Sequence, residues 1–278
     1  MNGTALFPTS AFADEASASL SEQIEALVRN KIDGLDLRSV DETNVLELED
    51  GQLDEVKQAC ERAGKRVATI GSPVNKVAFS KPEQVRQLNA LDRAIRAGKR
   101  VGAPAVRIFT PQVEPKEFDE LWPEMLSWMT DMVRLAEQND VLLLHENDAK
   151  YFGAYPENAR RLMESLCGDH FKFAFDFANT VHLGYSPLKD WMPWLRPYLH
   201  TLHLKDMKRE TGKIVPVGEG DGEVAECLKL LVEEGWSGTL TLEPHLERAG
   251  KFGGYSGSER FDEAAKAMRK VMSEAGIA

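Results

Sequence analysis

Short runs of β-favouring residues alternate with amphipathic helical patterns along the whole chain, and this alternation most narrows the fold. Strand, helix and strand in repeated succession make a parallel sheet with crossover helices. Strand candidates fall at 4–12, 34–38, 66–70, 105–109, 141–146, 171–176, 201–205 and 239–243. Pro8 interrupts the first, whereas the fifth, VLLLHE, is nearly all apolar, as befits a strand covered on both faces. Helices are expected around 19–28, with Ser19 and Glu22 in capping-box spacing, and at 52–62, closed by Gly64. Pro82 opens the next, which stops near Gly98. The rest cover 118–138, 157–166, 188–199, 224–234 and 258–274. Eight strand–helix units with short connections, and no linker or repeat, fit one closed α/β barrel. The expected fold is a (β/α)8 TIM barrel over residues 1–278 as a single domain. An open eight-stranded sheet is the fallback.

Charge narrows the partners. The chain has 34 basic and 45 acidic residues, a formal net charge of -11. An acidic body repels phosphate backbones and anionic lipid surfaces, so nucleic acid is not an expected partner. No stretch approaches the roughly 18 consecutive apolar residues of a membrane span. Cys60, Cys167 and Cys227 are far apart, odd in number and without a CxxC pair, which reads as reduced and structural. The first 14 residues lack the pattern of a signal peptide, and a cytoplasmic location is expected.

Four strand candidates end in a side chain able to bind metal: Glu146, Asp176, His203 and Glu243, on the fifth to eighth strands. In such a barrel the C-terminal ends of the strands form the active-site face. Taken singly, a strand-end carboxylate is more often a loop cap or ion-pair partner, and a lone histidine more often satisfied within the core. Four of them in register on adjacent strands favour a shared point. Three carboxylates and one imidazole suit one divalent ion, Mn²⁺, Mg²⁺ or Co²⁺, with Zn²⁺ also acceptable. Lys205, two residues beyond His203, shares its face, and His245 is two beyond Glu243 across Pro244. Glu219 lies in Gly218-Glu219-Gly220 on the loop after the seventh strand. Lys76 and Arg107 are candidates for the N-terminal half of the rim. Alternation turns His145 away from Glu146's side, towards a structural role. His182 reads as a surface histidine. Trp191 and Trp194, three apart on a helix, read as core or subunit packing, which leaves a homo-oligomer open.

At these residues the chain resembles the xylose isomerase-like TIM barrels, the sugar phosphate isomerase/epimerase proteins. The likeness rests on LLLHENDAK around Glu146, FAFDFAN around Asp176, HLKDMKR around His203, VPVGEGD at 215–221 and TLEPHL around Glu243. Two earlier segments, GLDLRSVDETNV at 34–45 and GSPVNK at 71–76, extend it over nearly the whole chain. The resemblance implies that Glu146, Asp176, His203 and Glu243 are the metal ligands and that Glu146 and Glu243 also move protons. One would remove the proton beside a carbonyl and the other return one, through a metal-stabilised enediolate. It further implies substrate contacts from Asp206 and Arg209, three and six residues after His203. Ketose 3-epimerases of this group usually carry a histidine three residues after the aspartate; here that position is Asn179, which can hydrogen-bond but cannot carry positive charge.

The implied function is a metal-dependent sugar isomerase or epimerase of carbohydrate metabolism, acting on a small-molecule carbohydrate. A metal-dependent dehydratase or lyase on a keto-sugar or keto-inositol would use the same groups, with Lys205 or His245 as the added acid. A sugar-binding barrel without catalysis is the non-enzyme alternative, against which the paired Glu146 and Glu243 argue. The related endonucleases need histidines from early strands, whereas all six histidines here lie at or after His145.

Overall fold

The computed structural model describes residues 7–247 and 256–277. Eight parallel strands close into a barrel: β1 (Thr9–Ala11), β2 (Gly34–Leu37), β3 (Arg66–Ile70), β4 (Ala105–Ile108), β5 (Leu142–Glu146), β6 (Phe171–Asp176), β7 (Leu199–Leu204) and β8 (Thr239–Leu242). Each pairs with its sequence neighbours, and β1 closes the ring on β8 through Thr9↔Leu240 and Ala11↔Leu242. The first expected strand is therefore shorter than 4–12, of which residues 4–6 lie outside the described residues.

Burial explains why these segments are strands. Their outward faces carry Val106, Ile108, Leu143, Phe173, Phe175, Leu202, Leu204 and Leu240, all at 0% exposure beneath the helices. Full burial of a large aliphatic or aromatic side chain contributes about 1.5–3 kcal/mol, so two-sided coverage holds the parallel ladder. The inward faces are mostly small or polar, with Leu142 and Leu144 as aliphatic exceptions. Ala105, Leu144 and Ala174 form their own cluster, and Ser10 on β1 donates to Asp36 on β2 at 2.6 Å and meets Thr241 on β8 at 2.8 Å.

The outer layer contains α1 (Leu20–Arg29), α2 (Asp50–Arg62), α3 (Lys81–Val101), α4 (Trp122–Asn139), α5 (Pro156–Leu166), α6 (Phe177–His182), α7 (Met192–Leu195), α8 (Val224–Glu233) and α9 (Ser258–Glu274). Three details differ from the sequence expectation. Helix α3 runs through Gly98 and ends at Gly102 in the left-handed region, φ 78°. Gly98 serves close approach instead: a Cβ there would lie 3.3 Å from Ile70 Cγ1. The helix expected over 188–199 is broken into a π-helical turn (Pro187–Trp191), α7 and a 3-10 turn (Arg196–Tyr198), because Pro187, Pro193 and Pro197 donate no backbone hydrogen bond. The Ser19–Glu22 capping box does not form; Ser17 donates to Glu22 instead.

Two hairpins follow barrel strands where loops were expected, Ser39–Val40 with Thr43–Asn44 after β2 and Asp206–Lys208 with Lys213–Val215 after β7. Trp191 is fully buried against Phe173, Phe175 and Trp194, as core packing requires. No helix among the described residues is long and apolar enough to cross a membrane.

Candidate metal centre

The ladder places the four strand-end residues at one height. Asp176 pairs with His203 across β6 and β7, and His203 pairs with Thr241, two residues before Glu243. Glu146 ends β5 opposite Ala174, two residues before Asp176. With alternation of period two, all four side chains point into the barrel mouth. Donor atoms of Glu146, Asp176, His203 and Glu243 lie within 4.8 Å of one another, and all four residues are buried.

Hydrogen bonding shows what this mouth is fit to hold. Among the described residues, Glu146 Oε2, His203 Nδ1 and Glu243 Oε2 are buried and have no hydrogen-bond partner. His203 Nδ1 is 3.1 Å from Glu243 and 3.5 Å from Glu146, without hydrogen-bond alignment. Buried polar atoms are nearly always paired. Three orphans facing one point, among three carboxylates and an imidazole, fit a hard divalent cation.

The charges respond to this crowding. Burial disfavours charge on His203, yet Glu146 and Glu243 outweigh it and raise its pKa to about 10. Burial would raise Glu146, but Arg107 and His203 hold it down at about 2. Glu243 is likewise kept well below the usual carboxylate range, its burial outweighed by Lys205 and His203. Burial pushes Asp176 up to about 6, with Lys205 working against it.

The N-terminal half of the rim supplies counter-charge. Arg107 Nη1 is 3.1 Å from Glu146 and 3.8 Å from Glu243, while its Nη2 donates to the Gly71 carbonyl at 3.2 Å. Arg38 Nη1 is 3.5 Å from Glu243, and its other nitrogens donate to Asp14 at 2.8 and 3.0 Å. Both guanidiniums lie over the Phe12 ring, at 5.0 and 4.8 Å for Arg38 and Arg107, and His203 meets that ring edge-on at 5.5 Å. Lys205 reaches in from β7's end and donates to Asp176 Oδ2 at 3.1 Å; Asp176 and the glutamates outweigh burial and shift it upward.

His245 also turns back into the site, through a left-handed backbone at φ 48°. Its Nε2 is 3.6 Å from Glu243 and 3.4 Å from Glu15, and burial holds it neutral, well below the usual histidine range. Glu15, Glu243 and His245 form a second group of converging donors, but Arg38 already brings positive charge there, 3.9 Å from Glu15. Burial raises Glu15 to about 8, with Arg38 partly offsetting it. Its Oε2 accepts from the His245 backbone at 2.7 Å and from Ser256 Oγ at 2.9 Å.

The remaining expected contacts separate. Lys76 sits exposed at the rim, paired with Asp148 at 2.8 Å and lying over Phe109. Asn179 is half-buried on α6, its backbone N–H capped by Asp176 Oδ1 at 2.8 Å. Asp206, expected to contact substrate, is turned by the hairpin into the loop. Its carboxylate accepts from the backbone N–H groups of Met207, Gly218, Gly220 and Gly222 at 2.8–3.0 Å. A Cβ at Gly220 would lie 2.3 Å from that carboxylate, so the glycines permit the grip. Arg209 is exposed and donates to the Tyr185 carbonyl at 2.8 Å, and Glu219 is exposed beside Lys266 and Lys270 of α9. The loop thus leaves both side chains exposed. His145 faces outward from the barrel at 0% exposure, 5.2 Å from the Phe173 ring, and burial lowers it to about 3; His182 is exposed.

Sequence reasoning missed Arg38, Asp14, Glu15 and Asn147. Arg38 and Asn147 each follow a barrel strand directly and lie inside segments already singled out, which was the available signal.

A family model described as xylose isomerase-like TIM barrel matches residues 24–271. Among solved structures, a D-tagatose 3-epimerase-like protein superposes with a TM-score of 0.78 at 12% identity, covering 97% of this chain and 98% of that one. The probable 3-DHS dehydratase of Bacillus anthracis, involved in petrobactin synthesis, gives 0.75 at 13% identity over 95% and 98%. A xylose isomerase-like TIM barrel protein from Mycobacterium smegmatis, in complex with magnesium, gives 0.70 at 15% identity over 96% and 97%. At such identities the likeness is one of fold. No curated protein matches the chain in sequence.

Proposed function

The chain belongs to the xylose isomerase-like TIM barrel family, and on that premise we propose that it is a divalent-metal-dependent enzyme that isomerises or epimerises a small carbohydrate by moving a proton next to a carbonyl. One observation carries this reading: Glu146, Asp176, His203 and Glu243 bring converging donors to the barrel mouth, three of them buried and without hydrogen-bond partners among the described residues. These four residues would hold the ion. When bound, a divalent cation neutralises the charge that develops on a carbonyl oxygen as the adjacent carbon loses a proton. The oxygen-rich donor set favours Mn²⁺, Mg²⁺ or Co²⁺.

The protein's own groups divide the remaining work. Glu146 and Glu243 are both held ionised, as a carbon base must be. Glu146 ends β5 and Glu243 directly follows β8, so they would approach a bound substrate from different sides of the mouth. Arg107 steadies Glu146, while neutral His245 beside Glu243 can take the abstracted proton from that carboxyl group and return it. Lys205 stays charged; it serves as a fixed positive contact for a substrate oxygen, not as a base.

Elimination of water from a keto-sugar or keto-inositol is the second reading. It is favoured by His245, which lies where it could take the proton abstracted by Glu243 and pass it to a leaving hydroxyl. Metal analysis of the purified protein, then a screen of ketoses, keto-inositols and 3-keto-glycosides followed by NMR in D2O, separates the two. Solvent deuterium in a product of unchanged formula is expected. Loss of water would establish the lyase. A protein that takes up no Mn²⁺, Mg²⁺ or Co²⁺ would leave the metal-assisted reading without a basis.

A further inference from the structure

We propose that Asn147 is a positioning residue for the metal centre, extending the β5–β6 ladder with its side chain so that Asp176 is fixed before any ion binds. The inference rests on the metal-centre reading above and goes beyond it, because Asn147 touches neither the converging donor point nor a substrate.

The β5–β6 ladder ends at Glu146↔Ala174, two residues short of Asp176. Beyond that pair, no main-chain bond from β5 reaches the aspartate. The Asn147 side chain takes over. Its Oδ1 accepts from the Asp176 backbone N–H at 2.8 Å, and its Nδ2 donates to the Asp176 carbonyl at 3.0 Å. A carboxamide presents one acceptor and donors in the same plane, as a peptide group does, so it continues the ladder by one rung. The second Nδ2 hydrogen bond goes to Thr180 Oγ1 at 3.0 Å, and Thr180 itself donates to the Asp176 carbonyl at 3.1 Å.

Asn147 is 0% exposed, so an unmet amide would be costly and no water competes for these bonds. The result is an aspartate held on every side. Its backbone is clamped by Asn147, its Oδ1 by the Asn179 N–H at 2.8 Å, and only Oδ2 faces the mouth, against Lys205. Because Asn147 directly follows Glu146, the same residue ties the ends of the two strands that supply two of the four donors. Groups that orient metal ligands without touching the ion typically contribute about 10–100-fold to metal affinity.

The test is Mn²⁺ titration calorimetry on metal-stripped protein, with Co²⁺ visible absorption as a second readout. Wild type is compared with Asn147→Leu, Asn147→Asp and a control, Asn158→Ala. Asn158 is also a buried asparagine with a main-chain bond, to Phe152, but on α5 away from the four donors. Expected is a loss of about 10–100-fold in Mn²⁺ affinity for Asn147→Leu, with an altered Co²⁺ spectrum. Asn147→Asp, which keeps the size but loses the donor, should show a smaller loss; it also decides the matter should the leucine variant fail to fold. Asn158→Ala should lower the melting temperature while leaving Mn²⁺ affinity within about threefold, less than one pairwise interaction is worth. Wild-type affinity and an unchanged Co²⁺ spectrum in the Asn147 variants would overturn the positioning role alone. Failure of the wild type to bind Mn²⁺ would overturn the metal centre and the proposal with it.

Discussion

The two halves of the barrel mouth are built differently. From β5 to β8, the strand ends themselves carry the chemistry: Glu146 and Asp176 are the last residues of their strands, His203 is the penultimate residue of its strand, and Glu243 directly follows β8. On the other side, only Arg107 lies within a strand. Arg38 follows β2, and Asp14 and Glu15 sit in a 3-10 turn after β1. The ladder sets the height of the C-terminal groups, whereas those opposite depend on salt bridges and hydrogen bonds to groups far away in sequence. The contrast teaches that a crowded set of buried carboxylates needs a second set of residues whose charge holds it in place. Here Arg107, Arg38 and the His203 proton offset the carboxylate charge together.

That division can be broken most severely on the donor side. Glu146→Gln removes a charge and a base while keeping the shape. Turnover of the substrate identified by the NMR screen should fall by about 10²–10⁴-fold. Turnover equal to wild type in this variant would rule Glu146 out as a proton carrier.

Breaking the counter-charge side should show first in stability. Arg107→Met leaves Glu146 and Glu243 buried beside each other with one cation fewer. Removing one partner of a buried pair costs roughly 3–5 kcal/mol, read by denaturant unfolding of metal-free protein. Saturating Mn²⁺ should restore more stability to this variant than to wild type, since the dication replaces the lost charge. Equal gains in both would mean that Arg107 and the ion do not share the task.

The mildest probe is pH. The metal-free His203 imidazole carries its proton up to a pKa of about 10, and an incoming ion must displace it. Mn²⁺ affinity should therefore rise with pH throughout the range below 10, by about tenfold per unit for one released proton. Below pH 6, where Asp176 also protonates, the dependence should steepen towards two protons. Calorimetry between pH 5.5 and 8 in buffers of different ionisation enthalpy counts those protons. A flat profile would show that His203 is already neutral.

The residues that the sequence revealed, and those it hid, follow the same line. Glu146, Asp176, His203 and Glu243 stand out because each interrupts an apolar strand near its end, and period-two alternation then puts them on one face. Lys205 was legible by the same count. Asp206 and Arg209 were read into the site from the family resemblance, but the hairpin after β7 gives Asp206 to the backbone of the loop and Arg209 to the Tyr185 carbonyl. His245 could not be aimed from sequence, because Pro244 breaks the alternation and a left-handed residue restores the direction.

From the sequence alone came the barrel and its four converging donors, since both arise from local periodicity: strands that are apolar until the rim, and helices between them. Only the tertiary structure decided what surrounds the donors. Arg38 meets Glu243 across 205 residues, Glu15 meets His245 across 230, and Asn147 clamps Asp176 across 29. Contacts made at such separation depend on how the ring closes, and no local pattern along the chain encodes that closure.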